Sequence, residues 1–185
     1  ELLRAKYKVD TGMVAFAEET ALLALDELLS RDKKNTYGRL LIADHIENPH
    51  NLGAMIRSCA AFDFDGVIVP DRRAAFISEG VSKSSSGAIF QVPIAKTHNL
   101  TLAINRLQKN DYWIVGTSLD AEETLQTIDL NRNIALIMGN EDRGIHQKMA
   151  EKCDYLIRIK MSSQIQSLNV SVAFGIVAHW LYLHN

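Results

Sequence analysis

The feature that most constrains this chain is a series of short stretches rich in Val, Ile and Leu, alternating with segments of helical spacing. Residues 39–43 (RLLIA), 66–69 (GVIV), 112–116 (YWIVG), 134–138 (IALIM) and 155–159 (YLIRI) read as strands. Residues 52–62, 76–84, 100–109 and 146–152 fit helices between them, and 168–183 is a long apolar helix. Strands this apolar are buried on both faces. Joined by helices, they build an α/β fold with a mostly parallel sheet of about six strands, flanked by helices. Residues 12–16 (GMVAF) read as an edge strand and 18–29 as a helix with a Leu stripe. Residues 89–94 read as a further strand whose Pro93 marks an edge or an end.

The last helix is apolar almost all round, from Val170 through Phe174, Ile176 and Val177 to Trp180 and Leu181. A surface helix shows one apolar stripe. This one packs on the sheet with one side and on a second chain with the other; burial inside a monomer is the alternative.

With 185 residues, the chain suits one domain with a substantial core. The net charge of −2 excludes a polycation, so nucleic-acid binding needs a local basic surface. Cys59 and Cys153 stand far apart without CxxC spacing, which argues against a disulfide scaffold or zinc site and for buried free thiols. No run approaches the length of a membrane span and no signal-peptide pattern opens the chain, so a reducing cytoplasm is expected. His45 and His50 lack ligand spacing, and no metal is expected.

In an open parallel sheet, ligands bind beyond the carboxyl ends of the strands. Four loops leave such ends. In 47–58 (ENPHNLGAMIRS), Asn51 is placed to cap the following helix, Gly53 permits close approach, and Arg57 shares an opening with Asn51. Thr117, Ser118 and Leu119 follow YWIVG with small hydroxyl groups. The turn 139–144 (GNEDRG) carries Glu141 and Arg143 between two glycines, without the Lys-Ser/Thr of a Walker loop. In 160–171 (KMSSQIQSLNVS), Ser167 is the expected helix cap, and Asn169 is a polar residue needing a partner. No GxGxxG occurs, so a Rossmann dinucleotide site has no support.

Taken in order, three of these stretches resemble the SpoU/TrmH family of RNA 2′-O-ribose methyltransferases, in the SPOUT superfamily. They are 48–69 (NPHNLGAMIRSCAAFDFDGVIV), 135–145 (ALIMGNEDRGI) and 159–173 (IKMSSQIQSLNVSVA); the segment 82–94 (SKSSSGAIFQVPI) also fits. The resemblance covers about residues 39–184. With YWIVGT and RLLIAD it lies closest to the 23S ribosomal-RNA guanosine branch. It implies a C-terminal deep trefoil knot, a homodimer through the last helix, S-adenosylmethionine as methyl donor and RNA as substrate, ribosomal RNA before transfer RNA. A catalytically weak RNA-binding member of the same fold is the alternative.

Carried over residue by residue, the resemblance implies a donor site of Thr117, Ser118, Leu119, Met138, Gly139, Asn140, Ile159, Met161, Ser167, Leu168 and Asn169. It implies a catalytic Arg57 with Asn51, Glu141, Ser167 and Asn169 as polar neighbours. Arg57, Lys83 and Arg143 are expected to meet RNA, with Arg72, Arg73 and Lys96 adding to a local basic patch. The chain departs from the family at Lys160, where Pro is usual, and at Ser163 and Asp63, where Gly is usual. Residues 1–10 are expected to be the end of a linker from an N-terminal RNA-binding domain, and 11–185 the catalytic domain.

Overall fold

The computed structural model describes residues 22–71, 78–129, 131–140, 143–162 and 164–184. Helix α1 (Leu25–Leu29) precedes β1 (Arg39–Ala43), α2 (Pro49–Ala61), β2 (Gly66–Pro70), α3 (Glu79–Ser84) and a 3-10 turn (Ala88–Phe90). Then come β3 (Ile94–Thr97), α4 (Leu100–Gln108), β4 (Tyr112–Thr117), β5 (Asn133–Met138), α5 (Gln147–Ala150), β6 (Tyr155–Ile157) and α6 (Val170–Leu183). The strands form one six-stranded sheet in the order β3-β2-β1-β5-β4-β6, every neighbouring pair parallel. The expected 1–10 linker, the 12–16 strand and the start of the 18–29 helix lie outside the described residues, as do Arg72 and Arg73.

Strand periodicity sends alternate side chains to opposite faces. Leu41, Val67, Val115, Leu136 and Met138 join a core that also contains Leu52, Met55 and Ile56 of α2 and Phe174, Val177 and Leu181 of α6. Leu40, Ile42, Ile68, Ile114, Ala135 and Ile137 face the other way, onto Leu28 of α1, Leu100, Ile104 and Leu107 of α4 and Met149 of α5. Each such side chain contributes roughly 1.5–3 kcal/mol on burial, so both faces of the sheet need their helices.

Helices α2 and α6 pack along each other. Phe64 meets Phe174 edge-on at 5.3 Å, and Phe62 lies against His179 and Tyr182. The outer side of α6 keeps Val172, Ile176, Tyr182 and Leu183 exposed. Among the described residues no helix is long and apolar enough to cross a membrane.

Several boundaries differ from expectation for local reasons. The 89–94 strand is instead the 3-10 turn, with β3 starting at Ile94. Gly87 at φ 83 opens a tight turn, and Pro93 has no N–H for a ladder although its carbonyl accepts from Val67 N at 2.9 Å. The 76–84 helix is described from Glu79, its first residues lying outside the description. Strand β6 ends at Ile157 rather than 159. The last helix starts at Val170 rather than 168, capped by Asn169.

Candidate active site

Beyond the carboxyl ends of β4, β5 and β6 lies a cavity of about 440 Å³, within the range of small-molecule sites. Three loops build it. After β4 come Thr117, Ser118, Leu119 and Asp120; after β5 come Met138, Gly139, Asn140, Arg143, Gly144 and Ile145; after β6 come Ile159, Met161, Gln166, Ser167 and Leu168. Ile157 forms its floor, and Val170 and Ala173 of α6 one wall.

The end of β6 is held from two sides by one chain segment. Ile157 pairs with Thr117 in the sheet and is bridged by Glu123 on its other flank. Ser118 N donates to the Ile157 carbonyl at 2.9 Å, and Arg158 N donates to the Glu123 carbonyl at 2.9 Å. The segment following β4 thus curls around the exit of β6, with Leu125 and Ile128 buried beneath it.

The turn after β5 is the tightest part of the wall. A Cβ on Gly139 would sit 2.1 Å from Gly144 C and Ile145 N, so only glycine fits. Gly144 adopts φ 67, and its N–H donates to the Asn140 carbonyl at 2.8 Å. Asn140 Nδ2 in turn reaches the His45 carbonyl at 3.2 Å.

Of the residues expected to hold a methyl donor, all but Asn169 line this cavity. Asn169 sits at its rim, between Leu168 and Val170, and turns its side chain elsewhere. Its Oδ1 caps α6, accepting from Ser171 N at 2.9 Å and Val172 N at 3.4 Å, and its Nδ2 donates to Asn51 Oδ1 at 3.1 Å. Ser167 is therefore a cavity residue and not the cap. Asn51 is not a cap either. Asn48 fills that role, accepting from His50 N at 2.9 Å with Pro49 in the first helical position, and Asn51 lies buried one turn on. The Asn48-Pro49 pair was the signal for this cap.

Arg57 is outside the cavity of its own chain. It is exposed, and its Nη1 donates to Ser86 Oγ at 3.1 Å. Ser86, at φ 51, also bonds back to the Lys83 carbonyl, so Arg57 and exposed Lys83 flank one turn. Gly53 lets α2 approach α3; a Cβ there would meet Ser84 Oγ at 1.9 Å and the Val81 carbonyl at 2.8 Å. Arg143 lies at the cavity itself, Lys160 is exposed, and Lys96 is exposed on the β3 edge. Glu141 and Ser163 lie outside the described residues. Asp63, where the family usually has Gly, adopts φ 52. Asp120, Ile145 and Gln166 also line the cavity and were not among the expected donor-site residues, although Ile145 and Gln166 lie inside motif stretches and Asp120 directly follows Leu119.

Both cysteines are free. Cys59 is fully buried and Cys153 partly so. Burial raises the Cys59 thiol well above its usual value, and burial reinforced by Asp154 and Asp44 pushes Cys153 up to about 12. Neither is a nucleophile at neutral pH. Among the described residues no group of His, Cys, Asp or Glu is arranged to hold a metal ion.

Residues 38–179 match the model of the SpoU rRNA Methylase family. The 23S rRNA (guanosine-2′-O-)-methyltransferase RlmB of Coxiella burnetii is 43% identical over 89% of this chain and 66% of its own length. YacO of Bacillus subtilis, named for TrmH family tRNA/rRNA methyltransferases, is 36% identical over 92% of this chain and 69% of its own. The chain thus spans about two thirds of the length of these curated relatives. An AdoMet-bound rRNA methyltransferase from Sinorhizobium meliloti superposes with a TM-score of 0.80 at 25% identity, covering 89% of this chain and 61% of that one. The chain belongs to the SpoU rRNA methylase family.

Proposed function

We propose that this chain transfers a methyl group from S-adenosylmethionine to the 2′-hydroxyl of a ribose in RNA, with a guanosine of 23S ribosomal RNA as the first candidate. The observation that carries the reading is the three-loop cavity at the ends of β4, β5 and β6. Support for the substrate comes from the name of the 43% identical relative. The tRNA/rRNA naming of YacO keeps transfer RNA as the second candidate. Either substrate implies a cytoplasmic location.

The cavity fits such a donor. Leu119, Met138, Ile145, Ile157 and Leu168 offer apolar faces for a purine, and the last loop, around Ile159 and Leu168, offers main-chain N–H and C=O groups for its edge. When bound, S-adenosylmethionine supplies an electrophilic methyl on a sulfonium. The protein's work is to place the hydroxyl in line and stabilise the charge left as its proton departs to solvent water. A guanidinium offers hydrogen-bond donors and no acceptor, so in this reading Arg57 holds an RNA phosphate and steadies the forming alkoxide rather than acting as base. Ser167 and the Asn51–Asn169 pair orient the ribose beside it.

The reading includes a homodimer on the exposed face of α6. Arg57 lies outside its own chain's cavity while Val172 and Ile176 stand uncovered on the neighbouring helix. A second copy docked there brings Arg57 of one protomer to the cavity of the other. The reading also includes the knot. The curl of residues 117–123 around Ile157 supports that part of the reading.

The test is to incubate the full chain with labelled S-adenosylmethionine and ribosomal or transfer RNA, then digest to nucleosides. Label in 2′-O-methylated nucleosides is expected. Label on bases alone refutes the reading.

A further inference from the structure

A second cavity, of about 250 Å³, opens beyond the carboxyl ends of β1, β2 and β3. Two carboxylate-held histidines line it. His45 Nδ1 meets Asp44 Oδ1 at 2.5 Å, and His98 Nδ1 pairs with Asp71 Oδ2. His146 and Lys148, from the start of α5, complete its polar wall, and the first turn of α4 faces it.

This cavity adjoins the first. Asp44 is 1% exposed, and its Oδ2 accepts from His146 N at 3.0 Å. Ile145 and Ala150 line the first cavity and His146, Lys148 and Met149 the second, and Asn140 Nδ2 donates to the His45 carbonyl at 3.2 Å. His45 is held at φ 57, in the left-handed region, a conformation that tends to persist where the surrounding structure has a use for it.

We infer that the cavity between His45 and His98, with Lys148, is a subsite for an RNA backbone phosphate next to the nucleotide that receives the methyl group. The inference rests on the proposed function. Its chemistry follows from the pairing. With Nδ1–H donated to a carboxylate, Nε2 is the ring atom left for a ligand. It accepts in the neutral ring and donates in the imidazolium. An oxyanion takes the second form, and the carboxylate behind each ring supplies the counter-charge. The groups facing the phosphate are Asp44, Asp71, His45, His98, His146 and Lys148. Both carboxylates are engaged by the histidines, which leaves Lys148 and the Nε2 edges of the rings toward the ligand.

The experiment follows the histidine ring signals of the full chain by NMR at constant pH and ionic strength. The probes are inorganic phosphate and a single-stranded RNA hexanucleotide of mixed sequence. The hexanucleotide is expected to shift His45 and His98 saturably. The H45Q/H98Q double variant is expected to weaken hexanucleotide binding about tenfold, the size of one charge-assisted hydrogen bond. Its affinity for S-adenosylmethionine by calorimetry should be unchanged. If the double variant does not fold, H98Q alone carries the test, since His98 is exposed; about a threefold loss is expected. Rings that ignore the hexanucleotide, rings that respond to inorganic phosphate only, or a folded variant with wild-type RNA affinity would each overturn the inference. Failure of wild-type protein to bind S-adenosylmethionine refutes the proposed function instead, and is read separately.

Discussion

Asn169 donates its side-chain amide to Asn51 Oδ1 at 3.1 Å, across 118 residues of chain. The same Asn169 caps α6 with its other atom. One side chain thus fixes where the last helix starts and ties it to the first turn of α2. Replacing Asn169 by Ala removes both roles and is expected to cost about 1–2 kcal/mol, mostly as a lost cap. Asn169→Asp keeps the cap oxygen but turns a second acceptor on Asn51. It should recover most of the stability in urea unfolding and little of the methyl transfer.

Gly139 has no room for a side chain, because a Cβ would lie 2.1 Å from backbone on the far side of its own turn. Gly139→Ala should distort the turn and lower S-adenosylmethionine affinity by more than tenfold in calorimetry. Gly144 is the contrast. It has open space but φ 67, so Gly144→Ala should cost only about 1 kcal/mol in thermal unfolding and leave donor binding largely intact.

Arg57 is exposed and outside its own cavity. Arg57→Ala should change stability by less than about 0.5 kcal/mol, leave donor binding intact and abolish most methyl transfer. Ser118→Trp should fill the cavity and abolish donor binding. Mixing the two inactive proteins should restore part of the activity, because a mixed dimer holds one intact Arg57 facing one intact cavity. Continued inactivity of the mixture would mean that Arg57 serves its own chain or no site.

The exposed side of α6 makes a simple prediction. Ile176→Asp places a charge where a second copy is proposed to pack. Sedimentation should show a monomer with near-native helix content, and methyl transfer should fall with the dimer.

Burial of the thiols and of Tyr112 has a consequence at high pH. An unfolded Cys ionises near pH 8.5 and an unfolded Tyr near pH 10, whereas burial pushes Cys153 and Tyr112 in the fold up to about 12 and raises Cys59 well above its usual value. The unfolded chain releases protons first, so stability falls as pH rises above about 9 for the thiols and above about 10 for Tyr112, by roughly 1 kcal/mol per pH unit for each group. Native protein at pH 8 should resist thiol-reactive dyes, and denatured protein should react at both cysteines.

Much of this architecture was legible in the residues because the strands are apolar throughout. Periodicity alone identified β1, β2, β4 and β5 to within a residue or so. The loops of the first cavity were legible because small and polar residues interrupt strongly apolar runs at the strand ends. The caps were misread by a few residues. Asn51 and Asn169 both have cap chemistry, and only the backbone decides that one of them caps while the other lies inside a helix as its partner. The 89–94 segment misled because an apolar run suits either a strand or a packed turn, and the positive φ of Gly87 selects the turn. Arg39 was read as part of a buried strand, but nothing local announced that its guanidinium would be buried with it. It donates to the Arg132 carbonyl at 2.6 Å, a partner 93 residues away. The Asp71–His98 pair of the second cavity was invisible for the same reason. Asp71 and His98 end different strands, and only the parallel register of β2 and β3 brings them together.

The central claim is that the loops after β4, β5 and β6 form one methyl-donor site. Its most direct test is a crystal structure of the full chain with S-adenosylhomocysteine. The account predicts the ligand between Thr117, Gly139 and Leu168, with its adenine against main-chain groups of the last loop. Ligand density in the cavity between His45 and His98 instead, or none in either cavity at millimolar concentration, would contradict it.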